Sequence, residues 1–202
     1  MRADEIMEGP LADIASFRKD FDDPKIVSRV QSQAARKNPK WTKTLTAMMA
    51  QNGFKLIGRG INGAVFAHDR FDYVLKVYRT DAAYDEWLHF ARTHSGNPYV
   101  PVMRGGTVVL NSVFKAVRLE TLVPANVDQA NAFTDRIDDL VNSYPKIVAM
   151  REEDRALADV ALFMKDWEPV SDLTAHNIMA RPNGDLVIVD PLYWEPGTDL
   201  DF

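Results

Sequence analysis

The chain has 202 residues, enough for one domain or one compact two-lobed unit with a substantial core. Its 46% hydrophobic content is that of a soluble globular protein, and its net charge of −5 argues against a chain built to coat nucleic acid or an anionic membrane. The lack of cysteine excludes disulfides, thiolate metal sites and a cysteine nucleophile; no run nears the ~20 apolar residues of a membrane helix, and the charged start Met1-Arg2-Ala3-Asp4-Glu5 is no signal peptide. A cytoplasmic protein in a reducing compartment is expected.

Residues 1 to 52 read as a polar-rich helical extension. Leu11, Ile14, Ala15 and Phe17 mark one short amphipathic helix, and Ile26, Val27, Val30 and Ala34 a second opened by Pro24. In a third, Asn38 caps, Pro39 suits the first turn, Trp41, Leu45, Met48 and Met49 form an apolar stripe, and Gly53 ends it. Basic residues from Arg18 to Lys43 read as a solvated face rather than a docking surface.

At Phe54 the pattern changes from helix to strand. Phe54 to Gly58 leads into Gly58-Arg59-Gly60-Ile61-Asn62-Gly63-Ala64-Val65-Phe66, and Tyr73-Val74-Leu75-Lys76-Val77-Tyr78 follows a polar turn at His68 to Asp72. Such glycine spacing serves both dinucleotide turns and kinase glycine loops. A dinucleotide turn opens a helix, whereas Ala64-Val65-Phe66-Ala67 is strand-like and leads to another strand carrying a lysine. In that arrangement Gly58, Gly60 and Gly63 let backbone amides close over phosphates, Val65 and Val74 line an adenine pocket, and Lys76 reaches the α- and β-phosphates. The ordinary alternative is an antiparallel meander with a surface lysine.

Ala82 to Arg92 reads as a helix with Tyr84, Trp87, Leu88 and Ala91 on one face. A kinase needs an acid there to pair with the strand lysine; Glu86 is the first candidate and Asp85 the second. His89 and His94 read as a solvated side chain and a helix-end residue. Val100 to Met103 and Thr107 to Leu110 read as a hairpin around Gly105-Gly106, and Phe114 to Pro124 as a further strand. In a two-lobed kinase the last strand of the first lobe becomes the hinge, which would fall at Glu120 to Val123 here, with Glu120 and Leu122 at the adenine. Two helices are expected next, one with Val127, Ala130, Phe133, Ile137, Leu140 and Val141 on its face, the other with Leu157, Val160, Ala161 and Met164.

The stretch Ser171 to Met179, followed by Gly184 to Pro191, holds an Asp, an Asn and a second Asp, with a Pro-Asn-Gly turn and an apolar strand between. This is the order of parts in a phosphoryl-transfer site. A carboxylate must orient the attacking hydroxyl and accept its proton, and an amide oxygen with a second carboxylate holds Mg²⁺ against the phosphates. Asp172 reads as the base, and Asn177 and Asp190 as metal ligands. Read alone, the stretch is equally a loop and a hairpin with ordinary turn residues.

Together these motifs resemble a protein kinase, and more closely the small early serine/threonine kinases of T-odd tailed bacteriophages. The resemblance rests on Gly53-Phe54-Lys55-Leu56, Val74-Leu75-Lys76-Val77, His176-Asn177-Ile178-Met179, Asn183-Gly184-Asp185 and Asp190-Pro191, and touches Trp41, Thr44 and Leu45. It implies an α+β, two-lobed fold: a helical extension over 1–52, an antiparallel N-lobe over 53–123 and a reduced helical C-lobe over 124–202. It also implies ATP with Mg²⁺, catalytic roles for Asp172, Lys76 and Asn177, and phosphorylation of the chain itself and of host bacterial proteins. Transcription or RNA-processing machinery is expected among the targets, without direct nucleic-acid binding or a membrane. Some members carry a basic extension tied to host transcription shutoff, which this sequence lacks after Asp190. Val170-Ser171 replace the usual His-Arg, Thr174 stands where many such kinases have a phosphate-steadying lysine, and Pro191 replaces Phe-Gly. Two other functions fit the same residues: a kinase-fold protein that inhibits a host enzyme by contact, and a small-molecule phosphotransferase.

Overall fold

The computed structural model describes residues 40–60, 62–167 and 171–192, with isolated positions between Ile14 and Ser32. The first two expected helices lie almost wholly outside the described residues. The chain divides into two compact units, one from 1–80 and 103–120, the other from 81–102 and 121–202. The organisation is α+β, as the motifs predict.

The first unit opens with helix α1, Lys40–Gln51. It stops where Gly53 adopts φ 83°, with Gly53 N–H donating to Ala50 and Phe54 N–H to Met49. Those two bonds satisfy carbonyls that the last helical turn would leave orphaned, and only glycine takes that φ without strain. Strands β1 (Lys55–Arg59), β2 (Gly63–Ala67), β3 (Tyr73–Arg79), β4 (Val108–Val109) and β5 (Phe114–Glu120) form an antiparallel sheet in the order β1-β2-β3-β5-β4. A bulge between Leu56 and Gly58 shifts the β1–β2 register just before the glycine turn.

Alternation along β3 sorts its residues between the two faces of the sheet. Leu75 and Val77 join Phe66, Ala64, Ala116 and Phe114 in a core with Trp41, Leu45 and Met49 of α1. Trp41 lies 5.7 Å from the Phe114 ring, and each large side chain so buried contributes about 1.5–3 kcal/mol. Val74, Lys76 and Tyr78 fall on the opposite face.

The expected hairpin around Gly105-Gly106 is not formed. Met103 pairs with Leu119 while Val108 and Val109 pair with Ala116 and Lys115, so both segments follow the same edge of β5 instead of each other. Gly105, at φ 83°, lies in the loop between them. A short segment gains more from an existing edge than from an isolated two-stranded turn.

The second unit holds helix α2 (Ala82–Thr93), strand β6 (Val123–Pro124), helices α3 (Val127–Val141), α4 (Tyr144–Glu153) and α5 (Arg155–Asp166), and strands β7 (Ile178–Ala180) and β8 (Leu186–Ile188). The second sheet runs β6-β7-β8. Side-chain oxygens of Asp81, Asn126 and Asp154 cap α2, α3 and α5. The core joins Trp87 and Phe90 of α2 to Phe163 of α5, with ring centroids 5.5 and 4.5 Å apart. Among the described residues, three α-helices stand between β6 and β7 where two were expected. The extra one, α4, buries Ile147 but exposes Tyr144 and Val148, so no amphipathic stripe marked it. The strand expected to run from Phe114 to Pro124 is broken, its end passing into the second sheet as β6.

Candidate active site

In the second unit, the residues from Ser171 to Leu192 fold back on themselves. A single 3-10 turn, Ala175–Asn177, is closed by Asn177 N–H to Thr174 at 2.9 Å. The Asn177 amide donates through Nδ2 to the Asp172 carbonyl at 2.7 Å and to the Asp172 carboxylate at 3.3 Å. This spends the donor end of the amide on Asp172 and fixes which way the side chain turns. Strands β7 and β8 then pair Ile178 with Ile188 and Ala180 with Leu186 across the turn at Gly184, φ 95°.

Asp190 is held between two backbone bonds. Val189 N–H donates to the Asn177 carbonyl at 2.9 Å, and Asp172 N–H donates to the Pro191 carbonyl at 2.8 Å. Ser171 and Leu192 add a bridge beyond them. A proline is no loss here, because position 191 contributes its carbonyl and needs no donor. Thus Asp172, Asn177 and Asp190 are drawn together by main-chain bonds, with Asp172 exposed and the other two half-buried.

One further group belongs to this neighbourhood. The Tyr84 phenol of α2 is buried, and its pKa is held well above the ordinary tyrosine value by burial first, then by the negative fields of Asp190, Asp81 and Asp85. It therefore stays a neutral hydroxyl. On the same helix Asp85 is half-buried and Glu86 exposed. Sequence reading assigned Tyr84 to the apolar face, and nothing in the spacing placed its hydroxyl among three carboxylates.

In the first unit, Lys76 sits mid-strand on β3, opposite Val65 of β2 and Val117 of β5, and is only 8% exposed. Val74 shares its face. The glycine turn is closed by Gly60 N–H to Gly63 at 2.8 Å, and Arg79 N–H donates to Asn62 at 2.8 Å. Gly58 faces Val65 across the sheet. A Cβ on Gly63 would stand 3.2 Å from Lys76 Cε and 3.3 Å from Tyr78 Cβ, so the bare glycine is what lets the lysine stem pass. Glu120 is the half-buried last residue of β5, and Leu122 is half-buried two residues on, past the point where the chain enters the second unit. His94 ends α2 with its ring stacked on Phe90, while His89 is exposed.

Among the described residues no three His, Asp or Glu side chains cluster as a metal cage. The side chains on this frame offer hard oxygens, one amide carbonyl and two carboxylates. This set fits Mg²⁺, which takes few protein ligands and fills its shell with phosphate oxygens and water. Among the described residues no helix is long and apolar enough to cross a membrane.

Comparison with known proteins agrees with the geometry. A family model described as bacteriophage T7 protein kinase 0.7 matches residues 20–200. No curated protein matches the chain. Among solved structures, the kinase PK-1 of the Cydia pomonella granulovirus is similar at 13% identity and a TM-score of 0.40, covering 74% of this chain and 55% of its own. The chain thus spans little more than half the length of that kinase. With nine-tenths of its residues inside the family match, the chain belongs to the bacteriophage T7 protein kinase family.

Proposed function

We propose that this phage kinase transfers the γ-phosphoryl group of ATP, with Mg²⁺, to serine and threonine hydroxyls of host bacterial proteins in the host cytoplasm, and to itself. Kinase membership implies ATP and, as a rule, a divalent metal. The observation that supports the reading is the bonded frame that links the segments carrying Asp172, Asn177 and Asp190.

In this reading Asp172, exposed at the rim, orients the acceptor hydroxyl and takes its proton as the new oxygen–phosphorus bond forms and the bond to the ADP oxygen breaks. The Asn177 amide, its Nδ2 spent on Asp172, has Oδ1 for the metal, with Asp190 as the second protein ligand. Bound Mg²⁺ supplies charge neutralisation at the phosphates. Lys76 holds the α- and β-phosphates, and backbone amides of Gly58, Gly60 and Gly63 cover them. Val65 and Val74 contact the adenine, whose edge bonds the backbone at Glu120 and Leu122. Glu86, and after it Asp85, is the acid this reading draws from α2. Transcription or RNA-processing proteins are the proposed host targets.

The test is incubation with Mg²⁺ and γ-labelled ATP, alone and with bacterial lysate, beside Asp172→Asn. Label on the protein or on discrete lysate bands, absent with the variant, supports the reading. A wild-type protein that binds nucleotide but labels nothing overturns it in favour of inhibition by contact.

A further inference from the structure

The loop Pro98–Val100, just beyond α2, offers three consecutive carbonyls, and the β7–β8 hairpin takes all of them. The Arg181 guanidinium donates through Nη1 to Pro98 at 2.5 Å and through Nη2 to Val100 at 3.1 Å. Between these, Ile188 N–H donates to Tyr99 at 2.9 Å. The loop is itself anchored on the other side. Asn97 Nδ2 donates to the Ala156 carbonyl at 2.8 Å, and the Tyr99 hydroxyl donates to Asp154, the residue that caps α5. The loop is therefore a fixed strip of backbone rather than a loose connection.

The hairpin needs such a strip. Each of its strands is three residues long, and a pair so short has little stability of its own. Strand β8 is the edge of its sheet, and the Ile188 amide turns to the loop instead of to a further strand. Two residues past Ile188 comes Asp190. A planar guanidinium fork fits two carbonyls at once, which a lysine ammonium on a flexible stem does not reproduce.

We infer that Arg181 is a positioning residue for phosphoryl transfer: its fork seals the hairpin to the Pro98–Val100 strip and so fixes the register that carries Asn177 and Asp190. The inference rests on the kinase reading above for its catalytic consequence, though not for the clamp itself. Partners that orient metal ligands typically cost ten- to a hundredfold in affinity or activity when removed.

The experiment compares wild type, Arg181→Ala and Arg181→Lys by amide hydrogen exchange at Ile188 and Val189 without ligand, and by the Mg²⁺ concentration for half-maximal autophosphorylation at saturating ATP. Arg181→Ala is expected to speed exchange at both amides about tenfold or more and to raise the half-maximal Mg²⁺ about tenfold, with Arg181→Lys between. Exchange and Mg²⁺ dependence both at wild-type values in Arg181→Ala overturn the inference. If that variant fails to fold, Arg181→Lys decides by the same two readouts, and wild-type values in it overturn the inference. A wild type that transfers no phosphate sinks the kinase reading alone, while the exchange rates still decide the clamp.

Discussion

Replacing Gly63 by alanine should separate stability from nucleotide handling. Gly63 opens β2 with no left-handed φ, so alanine can take its backbone conformation, and reduced freedom of the unfolded chain favours the variant by about 0.4–1 kcal/mol. Against this stands crowding: the added methyl would lie 3.2 Å from Lys76 Cε, 3.3 Å from Tyr78 Cβ and 3.4 Å from the Val77 carbonyl. Two of those neighbours belong to the paired strand and yield little. The Lys76 stem is the part that can move, by a few tenths of an ångström. The two effects on stability then nearly cancel, and the melting temperature should stay within about 4 °C of wild type. On the proposed reading, however, the displaced lysine is the group that holds the phosphates. Since misplacement by about 1 Å can cost a hundredfold, a shift of a few tenths should raise the KM for ATP or lower kcat by roughly three- to tenfold. Thermal melting and initial rates against ATP measure both. Gly96→Ala, where a methyl meets nothing within 4 Å, reports the generic effect of the substitution. Unchanged ATP kinetics in Gly63→Ala, with Lys76 still required, would refute the argument that Gly63 is there to clear the lysine.

Three further outcomes follow from the charges of the second unit. Helix α3 has no basic residue in its last turn and carries Asp138 there, whose pKa is raised by burial first and by Asp135 second. The fold then binds a proton that the unfolded chain has lost just above the ordinary carboxylate range, so stability falls as pH rises through that window. Asp138→Asn should therefore raise the melting temperature at pH 7 by about 1–4 °C, the gain vanishing in acid, as melting curves across pH will show. Tyr99 is pushed up to about 12, by burial first and then by its bond to Asp154. Its stabilising proton is fully kept below pH 10 and lost between pH 10 and 12, so stability declines over that range. Tyr99→Phe should flatten the alkaline decline in chemical denaturation while lowering neutral stability by about 1–1.5 kcal/mol. Finally, Asp85→Asn and Glu86→Gln should differ: the exposed Glu86 change alters stability by no more than about 0.5 kcal/mol, and whichever variant weakens ATP binding identifies the α2 acid that the proposed function needs.

What the sequence revealed depended on the reach of each interaction. The frame around Asp190 is built by bonds within one stretch, Asn177 to Asp172, Val189 to Asn177 and Asp172 to Pro191, so residue spacing carried it. The position of Lys76 within its sheet was legible for a similar reason. Alternation along β3 puts it on the face opposite Leu75 and Val77, and the two neighbouring strands then set Val65 and Val117 beside it. The clamp on the hairpin was not legible, because Arg181 meets Pro98 and Val100 more than eighty residues back through carbonyls that every residue has. The same blindness applies to the edge of β5. Val100 to Met103 and Thr107 to Leu110 look like partners by pattern, yet an edge already present won the pairing. Helix α4 escaped because Ile147, the one buried side chain among its described ones, makes no stripe.

The acid on α2 shows how a sequence argument and a structure can divide the work. Asp85 and Glu86 are adjacent, so their side chains leave the helix about 100° apart and cannot share an environment. Motif order favours neither strongly. Exposure separates them, since Glu86 is exposed while Asp85 is half-buried and joins Asp190 in raising the Tyr84 pKa. The phenol is the group that records these charges, since Asp190, Asp81 and Asp85 all act on it in the same direction. Positive charge delivered near Asp190, as the proposed metal role of that residue requires, should therefore lower the Tyr84 pKa, which gives α2 a readout of metal binding within the second unit.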